Sequence, residues 1–415
     1  MSPQSPDGAT GAAPRDPPPG APRFALARLV CALGVAQIVA WGTLFYSIAV
    51  LGPPMARALH VPDTGLYGSF TAGLVVSGLL APWAGRRIDR RGGRGVLTLG
   101  SLLATLACLL LAVAWNGWVM AAGWIIAGAA MAMCLYDAAF ATLHRVAGPA
   151  YRRAVTALTL FGGFASTVFW PLSQFLLERH GWRVAFGVHA AVNLAVALPL
   201  HAIFAPGTGV RAPAQWVAAG LRDAVAGKRA FVWLASALSL AAFLAAGLST
   251  HLVTLLGAGG IAPRDAVLIG ALIGPMQVVG RLMEFAFARR VHPIRVGTLA
   301  FSLMAAALIV LAVVRGASGA ALAFALLYGW SNGVMTIVRG TVPGELFGQR
   351  DFGALLGRLA RPQFLLKSIA PLAVTLLFGL DSTHRVALVL LAVAAVVALV
   401  AYQLAVRDGR RGPNS

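Results

Sequence analysis

The chain has 415 residues, 59 % of them hydrophobic and only 11 % charged, with a formal net charge of +20. Soluble domains carry about a quarter charged residues, so this composition excludes a soluble globular protein and describes one built into a bilayer. The basic excess reports topology, not a polyanion. Of the 33 Lys and Arg, only Arg57, Arg179, Arg183, Arg264, Arg315 and Arg385 fall at one end of the apolar runs, and Lys367 falls inside one. The others gather at the opposite end. By the positive-inside rule that asymmetry predicts both termini in the cytoplasm of a bacterial-type inner membrane, with lipid and not nucleic acid as the surroundings.

Residues 1–22 are rich in Pro, Gly, Ala and Ser without apolar periodicity, and read as a disordered cytoplasmic tail. Apolar runs of spanning length then recur at about 29–51, 65–84, 95–115, 118–143, 154–177 and 184–204. After a polar stretch come about 231–256, 266–288, 296–314, 320–338, 352–380 and 386–406. The expected fold is an all-α integral membrane protein of twelve transmembrane helices. Two six-helix bundles, 23–205 and 231–407, are joined by a cytoplasmic linker over 206–230, and 408–415 form a short cytoplasmic tail. An offset of 195 residues carries Gly85 to Gly280, Asp137 to Asn332 and Gly162 to Gly357, a weak internal repeat that suggests pseudo-symmetric halves. Gly52-Pro53-Pro54 is expected to end the first helix.

Between the second and third runs lies Gly85-Arg86-Arg87-Ile88-Asp89-Arg90-Arg91-Gly92-Gly93-Arg94. Arginines this dense cannot enter hydrocarbon cheaply, so the loop belongs to one membrane face. The spacing of Gly85, Asp89, Arg90, Gly92 and Arg94 resembles the loop between the second and third helices of the major facilitator superfamily, with Gly93 standing where that family often has a further basic residue. The resemblance covers the chain from about Arg28 to Arg407. It implies a secondary transporter working by alternating access, with this loop as a conformational latch.

Ionisable residues inside apolar runs are functional candidates because hydrocarbon is costly for charge. Asp137 lies roughly 12 Å inside the fourth run at about 1.5 Å rise per residue, and is the expected proton site. Lys367 lies in the middle of the eleventh run, in a chain with only one other lysine, Lys228. Its ammonium suits a substrate carboxylate, or Asp137 across a cavity. Gln363 shares its helical face. In the eighth run Arg281 and Glu284 stand one turn apart and are able to pair with each other. A basic residue in the eighth helix with a lysine in the eleventh resembles the oxalate/formate exchanger and monocarboxylate transporter branch, which implies that Arg281 and Lys367 bind an anionic substrate. Gln37, Trp41 and Asn332 are candidate cavity residues, although amides inside spans also serve as interhelical hydrogen bonds.

Other features narrow the reading. The fourth run has Trp124 where many proton-driven drug exporters have an arginine, and the fifth lacks a Gly-Pro pair. No P-loop, His-Glu-x-x-His or carboxylate cluster appears, so neither a nucleotide-driven pump nor a membrane enzyme is indicated. Cys31, Cys108 and Cys134 are scattered through apolar runs and read as small buried hydrophobes, without a metal or other cofactor. The preferred expectation is a monomeric, proton-linked transporter of a small organic anion. Export of a drug-like or arsenical compound, or import of a neutral vitamin-like molecule, is the alternative.

Overall fold

Hydrocarbon offers no water to the backbone, so a chain this apolar has to satisfy its amides within helices. The structure is a computed structural model. It describes residues 23–207, 224–258, 260–287, 290–313, 318–348, 351–378, 381 and 384–410. The expected tail over 1–22 and most of the expected linker lie outside the described residues, within which every regular element is a helix.

The first half begins with α1 (Arg23–Ala40), a π-helical turn (Trp41–Tyr46) and α2 (Ser47–Ala58), stacked into one rod. Here the expectation fails, because Pro53 and Pro54 lie inside α2 and the helix runs on to Ala58. Then follow α3 (Asp63–Arg91), α4 (Arg94–Ala112), α5 (Gly117–Cys134), α6 (Tyr136–Ala147), α7 (Tyr151–Gly163), α8 (Ala165–Val192) and α9 (Leu198–Phe204). Gly181 reverses the chain within α8 at φ 80°, a conformation that glycine adopts without penalty. The second half consists of α10 (Ala224–Ala258), α11 (Pro263–Phe287), α12 (Pro293–Val313), α13 (Ser318–Phe347), α14 (Phe352–Phe378) and α15 (Arg385–Arg410).

Nine helical stretches among the described residues are long and apolar enough to cross a membrane, and one of them, Gly117–Phe204, has length for several passes. The remaining long helix, α14, carries Arg358, Arg361 and Lys367. Six rods in each half are consistent with the expected twelve.

Each half has its own apolar core. In the second, Leu238, Phe301, Phe324 and Tyr402 are buried together. In the first, Leu51, Trp124 and Phe186 do the same. The halves meet along α3 and α14, where glycines bring backbone against backbone. A methyl added at Gly78 would sit 3.1 Å from the Arg361 carbonyl oxygen, and one at Gly357 2.6 Å from the Pro82 Cα. Gly85 faces Gly353 in the same way. Small residues are how membrane helices gain close packing when apolar burial alone cannot drive association.

More contacts cross between the halves on the side of the Arg86 loop. Asp89 accepts from the backbone amides of Gly353 (2.8 Å) and Ala354 (2.7 Å) at the start of α14. Arg152 pairs with Glu284 at 2.7 Å and also donates to the Val291 carbonyl. Tyr151 donates to the Gly340 carbonyl at 2.7 Å, and His144 stacks on Phe352 at 4.1 Å between ring centroids. Glu284 is thus drawn to the other half, and the pairing open to Arg281 and Glu284 as i, i+3 neighbours does not form. Arg152 of α7 takes the carboxylate instead.

Candidate functional site

The fourth span is not one helix. Leu135 takes an extended conformation (φ −81°, ψ −170°), which ends α5 at Cys134 and restarts the chain as α6. The break frees the Cys134 carbonyl, and Gln37 Nε2 donates to it at 2.6 Å. The other end of that amide, Oε1, accepts from the Trp41 indole at 3.2 Å. Gln37 is therefore fully buried and serves as a brace between the broken span and the π-helical turn.

Restarting the helix at Tyr136 puts Asp137 in the first turn of α6. Helix N-termini carry unpaired amides and the positive end of the backbone dipole, a favourable place for a carboxylate. Arg339, projecting from α13 in the second half, donates to Asp137 Oδ2. Asp137 Oδ1 and Arg339 Nε are buried without a protein hydrogen-bond partner. The carboxylate thus has one oxygen engaged and one available.

Lys367 approaches from α14. Its ammonium lies 3.8 Å from the Phe45 ring centroid and 5.6 Å from that of Trp41. Ring faces attract a cation through their quadrupole, so these two side chains partly replace the water that the ammonium gives up. The rings belong to a larger aromatic wall: Trp41 is 5.2 Å from both Phe45 and Tyr136, and Phe45 is 5.5 Å from Tyr46. The π-helical turn brings Trp41, Phe45 and Tyr46 into this wall. Such turns insert a residue into the helical register and often mark functional sites.

These groups border a small cavity of about 20 Å³, lined by Trp41, Leu135, Tyr136, Asp137, Ala242, Arg339, Gln363, Phe364 and Lys367. Both halves contribute to it. It contains one carboxylate and two cations, and the carboxylate pairs with Arg339, not with Lys367. Gln363, whose own amide donates to the Leu359 carbonyl at 2.8 Å, presents its remaining polar edge nearby. Among the described residues no cluster of three or more His, Cys, Asp or Glu is placed to hold a metal ion.

Of the residues expected at the site, the structure brings together Asp137, Lys367, Gln363 and Trp41. Gln37 stands directly behind them. Arg281 and Asn332 do not line the cavity. Arg281 is buried in α11, donates from Nε to the Gly333 carbonyl at 3.3 Å and packs its guanidinium against Gly163. Asn332 is half-buried in α13. Of the residues expected to form the latch, Gly85 and Asp89 lie on the seam with α14, and Gly92 closes α3 at φ 82°. Arg94 Nε donates to the Ala205 carbonyl at 2.9 Å, and Arg90 is exposed. Arg339 and Tyr136 were not foreseen. Arg339 sits one residue past the apolar run that was read as the tenth span, whereas α13 continues through Pro343 to Phe347.

Residues 33–357 match the family model of the Major Facilitator Superfamily. No curated protein matches the sequence. Among solved structures, the human organic anion transporter MFSD10 (TETRAN) superposes with a TM-score of 0.69 at 18 % identity, over 93 % of this chain and 100 % of that one. The Escherichia coli fucose:proton symporter FucP gives 0.72 at 16 % identity, over 92 % and 98 %. The proton:xylose symporter XylE gives 0.69 at 12 % identity, over 91 % and 95 %. At these identities the likeness is one of fold. With two helical halves around a shared polar cavity, and a family match over most of its length, the chain belongs to the Major Facilitator Superfamily.

Proposed function

We propose that the protein is a secondary transporter of a small organic anion, working by alternating access and coupled to a proton at Asp137. The observation that carries this reading is Lys367. A half-buried ammonium without an ion-paired carboxylate of its own, beside a cavity that both halves line, is a place where an incoming carboxylate supplies the missing charge. Arg339 is spent on Asp137, so Lys367 is the cation left for a ligand. The aromatic wall of Trp41, Phe45 and Tyr136 suits the apolar body of such a molecule. Asp137 Oδ1, which no protein donor engages, is the oxygen that takes the proton.

The neighbours fit this reading at the level of fold. One is named an organic anion transporter, and two are named proton symporters. Contacts on the Arg86-loop side, with Asp89 on the α14 amides, correspond to a latched cytoplasmic face and an outward-facing state. Location in a bacterial-type inner membrane, with both termini cytoplasmic and one copy per unit, belongs to the same proposal. A neutral, ring-bearing solute is a second reading, favoured by the same aromatic wall. In that case Lys367 serves only to hold the rings and balance Asp137.

The test is thermal unfolding of purified protein against small carboxylates, neutral metabolites and cations, at acidic and neutral pH. A ligand that binds only the folded state stabilises it by RT ln(1 + [L]/Kd), so hits rank by affinity. Stabilisation by carboxylates that disappears in Lys367→Ala supports the proposal. Carboxylate stabilisation that survives unchanged in Lys367→Ala, or hits confined to neutral or cationic compounds, overturns it.

A further inference from the structure

α14 carries two more charges on the opposite side from its cavity face. Arg358 and Arg361 are both exposed, on the same helical stripe as Ile369, Leu372 and Leu376, which are exposed as well. Spacings of three and four residues keep these side chains in one line along the helix. Gln363, Phe364 and Lys367 point the other way, into the cavity. The stripe therefore faces lipid, not the transport path.

Depth makes these two arginines unusual. At about 1.5 Å per residue, Arg361 lies about 14 Å along α14 from Phe352, a third of the way into a helix of 27 residues and inside its apolar run. Arginine at such a depth is costly unless it snorkels or meets an anion. No carboxylate of the described residues pairs with Arg358 or Arg361. Arg358 is steadied by the Phe231 ring of α10, 4.8 Å from its guanidinium carbon to the ring centroid. Arg361 sits where Gly78 lets α3 come against its backbone carbonyl. Two guanidinium groups thus project from the α3–α14–α10 surface, below an apolar stripe long enough for an acyl chain.

We propose that Arg358 and Arg361 form a binding site for the phosphate of an anionic phospholipid, whose acyl chain lies along Ile369, Leu372 and Leu376. The planar donor forks of two arginines match phosphate oxygens, and a phosphate drawn toward them neutralises charge that the helix otherwise holds in hydrocarbon. A zwitterionic headgroup brings its own ammonium and competes poorly. A soluble anion lacks the chain that fills the stripe. The site is separate from the cavity and does not depend on what is transported.

The full-length protein is reconstituted in vesicles of equimolar phosphatidylglycerol and phosphatidylcholine, extracted in mild detergent, and its retained lipid counted by mass spectrometry. Wild type is expected to enrich phosphatidylglycerol about tenfold, from the attraction of two basic side chains to an anionic headgroup. The variant Arg358→Gln with Arg361→Gln is expected to lose that enrichment while unfolding at the wild-type temperature in lipid-free detergent. Equal retention of the two lipids by wild type overturns the proposal, and so does unchanged enrichment in the double variant. Displacement of the lipid by millimolar inorganic phosphate also overturns it, because the acyl chain would then contribute nothing. Should the glutamine variant not fold, the wild-type ratio decides alone.

Discussion

Arg339 of the second half donates to Asp137 of the first, so the cavity's carboxylate is held by a cation on the opposite wall. Any motion that parts the halves must either carry this pair along or break it. A broken pair leaves a charge in a nearly dry site, whereas a protonated Asp137 can part from Arg339 at lower cost. Proton uptake and rearrangement of the halves are coupled in the proposed mechanism through this contact.

The pair is testable by a cycle of substitutions. Arg339→Gln strands Asp137 and is expected to cost about 3 kcal/mol of stability, the lower end for removing one partner of a buried pair. Adding Asp137→Asn to that variant should recover most of the loss, because no charge then remains unpaired. Thermal unfolding of the two single variants and the double reads the coupling directly. Additive losses would mean that the two side chains act independently.

Gln37 braces the broken span against the π-helical turn. Gln37→Leu leaves the Cys134 carbonyl and the Trp41 indole N–H without their partners, at about 2 kcal/mol for buried groups left unsatisfied. The same change should loosen Trp41 and weaken ligand affinity, with intrinsic tryptophan fluorescence as a second readout. Unaltered stability and affinity would show that another group takes over both bonds.

Gly162 leaves room for Tyr136. A methyl there would lie 2.8 Å from the Tyr136 Cζ and closer still to its hydroxyl. Gly162→Ala should push the ring toward the cavity and cost about 1–3 kcal/mol through overpacking. Gly187 in α8 has nothing within 4 Å of an added methyl. Gly187→Ala is therefore expected to be neutral or to stabilise by up to about 1 kcal/mol through helix propensity. Equal effects of the two substitutions would contradict the packing described.

Asp89 and Glu284 stand at equivalent places in the two halves, related by the same 195-residue offset as Gly85 and Gly280. Each is a carboxylate on an even-numbered span that clamps the other half near the start of a helix, α14 for one and α7 for the other. Asp89→Asn and Glu284→Gln should each loosen the Arg86-loop face, and together should do so more. The measurement is alkylation of Val155→Cys, a buried position on that side, in a background lacking the native cysteines. Labelling that stays at the wild-type rate in the double variant would remove both residues from the latch.

Much of the architecture is written in local pattern. Apolar runs of spanning length located the helices, and the Arg86 loop pointed to the family. Asp137 and Lys367 stood out because a charge inside an apolar run has few explanations. Arg339 escaped the same reasoning because it lies at the edge of its run, where a basic residue is ordinary, although Thr341, Val342 and Pro343 continue the apolar pattern beyond it. The partner of Glu284 was hidden for a different reason. An i, i+3 neighbour is visible in sequence, whereas Arg152 comes from the other half of the chain. The break at Leu135 has no proline or glycine to announce it and is held by Gln37 from another span, so no local signal exists.

The glycines along α3 and α14 have a mechanical consequence. Where Gly78, Gly85, Gly353 and Gly357 meet the opposing helix, most of the surface in contact is main chain, with Asp89 and Phe364 adding side-chain atoms. Two rods in such contact can roll on each other with few side chains to lift out of sockets, once Asp89 releases the α14 amides. The seam behaves as a bearing, and its tolerance is a hydrogen atom. Any side chain introduced there acts as a wedge, slowing the swing even where the folded state survives.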